Sequence, residues 1–71
     1  MNIPPYVSFE IGKPYPATII AVKGEMFELE SNGESIWLPD SIVGKVKIGD
    51  SGLITLSEVG GRFVWSFKET S

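Results

Sequence analysis

Met26-Phe27-Glu28-Leu29-Glu30-Ser31-Asn32-Gly33-Glu34-Ser35-Ile36-Trp37-Leu38 is the stretch that decides how this chain folds. In its first half apolar and charged residues alternate, so an extended backbone puts Phe27 and Leu29 on one side and Met26, Glu28 and Glu30 on the other. Asn32-Gly33 follows, the dipeptide that best tolerates positive φ at both centres of a type I′ turn, and Ser35-Ile36-Trp37-Leu38 then resumes the alternation. The stretch predicts a β-hairpin in which Ile36 and Leu38 share the core side and Trp37 lies on the opposite face.

The same pattern extends in both directions. Upstream, Ala17-Thr18-Ile19-Ile20-Ala21-Val22 is rich in β-branched residues and stops at Lys23-Gly24, which predicts a strand. Downstream, Pro39-Asp40-Ser41 interrupts the ladder, and residues 42–49 leave room for at most one helical turn or a short extra strand. Leu53-Ile54-Thr55-Leu56-Ser57 is a further strand, Gly60-Gly61 a tight turn, and Arg62-Phe63-Val64-Trp65-Ser66-Phe67-Lys68 the last strand. Five strands at short, regular spacing predict an all-β fold, a small five-stranded barrel with no long helix.

Residues 14–68 form the expected barrel domain. All the prolines except Pro39 fall in the first sixteen residues, so residues 1–13 are expected as an extended N-terminal arm with a short edge strand at Tyr6-Val7-Ser8-Phe9. Residues 69–71 are expected as a flexible tail.

A chain of 71 residues builds one modest core, and with neither cysteine nor histidine it must be held by packing or by a partner rather than by disulfides or a zinc site. The same absences exclude thiol catalysis and thiolate metal sites. The N-terminus lacks the basic start and apolar run of a secretory signal, and no apolar run approaches the ~20 residues of a membrane span. A cytoplasmic protein is the expectation. The net charge of −3 is opposite to the footprint of a non-specific phosphate binder.

Taken in order, Gly12, Tyr15, Ala17-Thr18-Ile19, Val22-Lys23-Gly24-Glu25-Met26-Phe27-Glu28-Leu29, Asn32-Gly33, Gly44-Lys45, Ile48-Gly49-Asp50 and Gly60-Gly61-Arg62 form a pattern. It resembles the OB-fold of bacterial translation initiation factor one and of the RNA-binding repeats of the large ribosomal small-subunit protein, across about residues 12–68. The resemblance implies an OB-like barrel, with RNA bound through basic and aromatic side chains on the second and third strands and adjoining loops. There this chain departs from the pattern, with Glu25, Glu28, Glu30 and Glu34. The positions of the pattern also have local physical reasons, since glycines relieve sharp corners and Phe27 and Leu29 fill a barrel, and an SH3- or Tudor-like barrel meets them too.

Three sets of residues are candidates for function. Met26 and Trp37, on the face opposite the core, with Glu28 and Glu30 beside them, would form an apolar patch with an acidic rim, suited to docking a protein or ribonucleoprotein surface. The alternative for Trp37 is that the N-terminal arm folds back and covers it with Tyr6 and Phe9. Lys45 and Lys47, with Lys13, Lys23 or Arg62, would form a basic rim over phosphate, which with Trp37 as a stacking platform gives a single-stranded nucleic-acid binder. Phe63, Trp65 and Phe67 share one side of the last strand and are expected in the core, though an aromatic stripe there would also stack bases. The need of so short a chain for further burial leaves a third possibility, a homo-oligomer that pairs edge strands.

No catalytic residue is expected. The carboxylates have no neighbouring nucleophile or histidine, and glutamates two apart on a strand lack the loop geometry that surrounds a calcium ion. A non-enzymatic module without cofactor or metal is the expectation, with no membrane partner.

Overall fold

The computed structural model describes residues 8–70. It contains five strands and one helical turn: β1 Pro14–Lys23, β2 Met26–Ser31, β3 Glu34–Pro39, α1 Asp40–Val43, β4 Ser51–Val59 and β5 Arg62–Glu69. All pairs are antiparallel, in one sheet of order β3-β2-β1-β4-β5. The all-β fold without a long helix is as the alternation and turn chemistry predict, while the single turn of α1 starts at Asp40, two residues before the segment expected to hold it.

Both tight turns have the backbone their residues favour. Asn32 and Gly33 have φ of 54° and 78°, and Gly60 and Gly61 have 57° and 78°, left-handed values that match the twist of a two-residue hairpin. Asn32 is the one non-glycine residue with positive φ among those described, and its side-chain amide donates to Ser8 O at 2.7 Å.

β1 is the spine of the sheet. Residues 14–18 pair with β4 and residues 18–23 with β2, so only Thr18 has a partner on both sides. Ile19 N–H donates to Asp50 O at 2.9 Å, so along β1 the odd-numbered residues bond toward β4. The nitrogens of Pro14 and Pro16 therefore face away from β4, on the side β2 does not reach, and cost the ladder nothing. At Ile20 the register with β2 slips by one residue, a bulge that bends β1 from one neighbour to the other.

Inward-facing residues of all five strands meet in one core: Ala17 and Ile19 from β1, Leu29 from β2, Ile36 and Leu38 from β3, Ile54 and Leu56 from β4, and Trp65 from β5. Val43 of α1 joins them, and α1 packs against β5, β3 and β2. Trp65 is buried, with Phe63 and Phe67 half-buried beside it, so the aromatic side of the last strand is core.

The segment before β1 differs from the expectation. Ser8 and Phe9 form a turn and bend rather than part of an edge strand, while Tyr6, Val7 and the rest of residues 1–7 lie outside the described residues. Phe9 is 2% exposed and packs edge-on against Trp65 at 5.2 Å and Tyr15 at 5.0 Å. Gly12 N–H donates to Leu56 O at 2.7 Å, and Glu10 N–H to the Tyr15 hydroxyl at 2.8 Å. The reason is apolar area: a sheet this small leaves one side of Trp65 open, and Phe9 closes it. At the other end Glu69 completes β5 and Thr70 N–H donates to Ser51 O at 3.1 Å; Ser71 is outside the described residues.

Candidate functional site

The outward face of β1, β2 and β3 is built by register. Across β2 and β3, Met26 pairs with Pro39, Glu28 with Trp37 and Glu30 with Ser35. Across β1 and β2, Lys23 pairs with Met26, Ala21 with Glu28 and Thr18 with Glu30. Phe27, Leu29 and Ser31 point inward, so the six partners of Met26, Glu28 and Glu30 lie with them on the outer face. Glu28 thus stands at the centre of a row with Ala21 on one side and the Trp37 indole on the other.

Trp37 is 44% exposed and Met26 37%, at diagonal positions on this face. Of the alternative cover for Trp37, Phe9 packs on Trp65 instead, and Tyr6 lies outside the described residues. The bulge adds a residue that alternation does not reveal: two residues of β1, Ile20 and Ala21, stand against the single Glu28, and Ile20 is 42% exposed. Trp37, Met26, Ile20 and Ala21 make a discontinuous apolar surface around a carboxylate. Glu30 lies one row further along, and β2 and β3 together carry Glu28, Glu30 and Glu34 with neither lysine nor arginine.

Glu34 is different from the other two. It faces inward beside the buried Ser31, and its Oε2 is shielded from solvent with no hydrogen-bond partner. The Ser31 hydroxyl next to it donates to Pro16 O at 2.5 Å, joining the end of β2 to β1.

The basic residues are not brought together. Lys45 and Lys47 lie in the loop after α1, where they line a shallow concavity with Phe27, Asp40, Asp50 and Glu69. The loop is held tightly: Lys47 N–H donates to Asp50 Oδ2 and Asp50 N–H to Lys47 O, both at 3.0 Å, while Gly49 N–H donates to Ile19 O at 2.8 Å. Arg62 starts β5 at the turn with Gly60-Gly61, whereas Glu69, which borders the lysines, ends it. At about 3.3 Å per residue the two ends are roughly 23 Å apart. Lys13 is also elsewhere, 3.7 Å from Glu10 Oε2 and 5.4 Å from the centre of the Tyr15 ring. The spacing of these cations in the sequence gave no view of the strand that separates them.

Among the described residues no group of three or more acidic side chains converges so as to hold a metal ion, and no helix is long and apolar enough to cross a membrane. Compared with known proteins, the chain matches no family model, no curated protein and no solved structure.

Proposed function

We propose that this chain is a non-enzymatic, cytoplasmic binding module, an OB-like barrel that docks a protein or ribonucleoprotein surface through the outer face of β1, β2 and β3. One observation carries the reading: Trp37, Met26 and Ile20 are all exposed on one face around Glu28. An exposed indole set among aliphatic side chains, with charge at the rim, is the composition of an interface centre. Trp37 and Met26 act as anchors, and Glu28 and Glu30 select a partner of positive potential.

The OB-like part of the reading is supported by connectivity. β1 pairs with both β2 and β4, β5 lies beyond β4, and a helical turn sits between β3 and β4. An OB barrel shares this order of neighbours, although the β3–β5 pairing that closes such a barrel is absent among the described residues, whereas an SH3-like barrel pairs its first strand with its last. The resemblance to initiation factor one rests on the residues that carry it and on this order.

The exposed Trp37 is also what a nucleic-acid platform requires, and that is the alternative reading. It is the weaker one because the indole is flanked by Glu28 while Lys45, Lys47 and Arg62 lie on other parts of the molecule. Capture with variant chains distinguishes the two. The expected result is a protein retained by the wild-type chain, lost with Trp37→Ala or Met26→Ala and kept when Lys45 and Lys47 are both changed to Ala. Retention that follows the lysines, together with salt-sensitive binding of oligo-dT or oligo-U, would replace this reading by the nucleic-acid one.

A further inference from the structure

Among the described residues β3 is an edge strand of the sheet, and its outer edge lies beside the Trp37 face. Ser31 and Glu34 flank a two-residue turn, so they exchange both backbone hydrogen bonds, and the parity repeats at Leu29–Ile36 and Phe27–Leu38. The N–H and C=O groups of Ser35 and Trp37 therefore point away from β2. No other backbone group among the described residues bonds to them. Pro39, the next residue of that parity, has no N–H and closes the edge.

The opposite edge of the sheet is unlike this one. The same parity turns the backbone groups of Phe63 and Phe67 to the outer edge of β5, but β5 packs against α1 and carries Arg62 and Lys68 near its ends, charges that discourage strand pairing. Among the described residues β3 carries no cation, and α1, which packs against it as well as against β5, follows only after Pro39 at its far end. The nearest charges to β3 among the described residues are Glu28, Glu30 and Glu34, with Asp40 just beyond its end.

We propose that β3 receives an extended segment of a partner protein by strand addition, and that this segment carries basic residues at alternate positions with β-branched residues between them. The proposal rests on the docking face described above and specifies how that face is engaged. Backbone bonds to Ser35 and Trp37 fix the added strand. Its residues opposite Ser35 and Trp37 then project on the outer face. The one opposite Ser35 has only a hydroxymethyl group between itself and Glu30, so an arginine there reaches the carboxylate across two strand spacings, ~10 Å. The one opposite Trp37 lies along the indole, where a guanidinium stacks on the ring and faces Glu28 beyond it. The residue between them falls on the inner side, next to Ile36, and is apolar. An acidic strand would face Glu28 and Glu30 with like charge, and that includes a second copy of β3 with its own glutamates behind it.

The test is residue-resolved amide exchange of the full chain with a synthetic peptide, Arg-Val-Arg-Val-Arg-Val, and with its Glu-Val counterpart. The expected result is that saturating Arg-Val peptide slows exchange of the Ser35 and Trp37 amides ~10-fold or more, leaves those of Phe63 and Phe67 unchanged, and that the Glu-Val peptide does neither. Ser35→Pro removes one edge donor on the side away from β2, keeps Trp37, and is expected to abolish peptide binding with the far-ultraviolet spectrum unchanged. Should that variant not fold, the wild-type exchange pattern still decides. Peptide binding that perturbs the Trp37 ring while both amides exchange freely would overturn strand addition and leave docking on the face intact. Failure of the Arg-Val peptide to bind would overturn it as well. Protection of the two amides without peptide, in a chain that dimerises, would assign the edge to a second copy and equally overturn the basic partner.

Discussion

At the scale of single residues, two positions show how differently the sequence exposes its constraints. The face of Trp37 is legible, since alternation with Ile36 and Leu38 puts it opposite the core, but its exposure is not, because alternation leaves open whether another segment covers it; it is 44% exposed. Gly52 was not, because it lies at the margin of a strand with no turn to call for it. Its reason is across the sheet, where the Phe67 ring lies flush on it. A Cβ there would stand 2.5 Å from Phe67 Cζ and 2.5 Å from Lys68 O. A backbone oxygen cannot rotate out of the way, so Gly52→Ala is expected to destabilise the chain by about 1–3 kcal/mol in urea unfolding, the range of an overpacked core. Trp37→Ala, at an exposed site, is expected to change stability by no more than about 0.5 kcal/mol in the same measurement while removing partner binding. A large loss of stability would instead make Trp37 a structural residue.

At the scale of elements, the hairpins were readable and their junctions were not. Asn32-Gly33 and Gly60-Gly61 announce turns because few dipeptides accept positive φ twice, and Asn32→Ala is expected to cost about 1–2 kcal/mol for holding a left-handed alanine. The bulge at Ile20 sits in a run of apolar residues with no alternation to be broken, so nothing local marks the slip that brings Ile20 and Ala21 to the docking face. The turn and bend at Ser8-Phe9, in place of the end of an edge strand, are hidden for a similar reason. Prolines argue against helix and ladder, but they say nothing about a single aromatic side chain whose partner, Trp65, is 56 residues away. Phe9→Ala removes a buried ring from contact with Tyr15 and Trp65. The expected loss is about 3–5 kcal/mol, against a total of about 4–11 kcal/mol for a chain of this length. Thermal unfolding followed by Trp65 fluorescence checks it; an unchanged midpoint would show the segment before β1 to be dispensable.

At the scale of the whole molecule, charge distribution decides between readings that composition alone leaves open. The net charge of −3 describes an average, whereas the fold gathers Glu28 and Glu30 around Trp37 and sets Lys45 and Lys47 apart from Arg62. That separation was hidden because it depends on the length of β5 and on where the loop after α1 is pinned. The central claim is that the exposed tryptophan serves a partner of positive charge and not the bases of a nucleic acid. Its most direct test is fluorescence of a Trp65→Phe chain, in which Trp37 is the sole indole, titrated at low and at higher salt. The account predicts no saturable response to oligo-dT or oligo-U, and a saturable shift on adding the alternating arginine-valine peptide that weakens with salt. Saturable, salt-sensitive quenching by the oligonucleotides, with no response to the peptide, would contradict it.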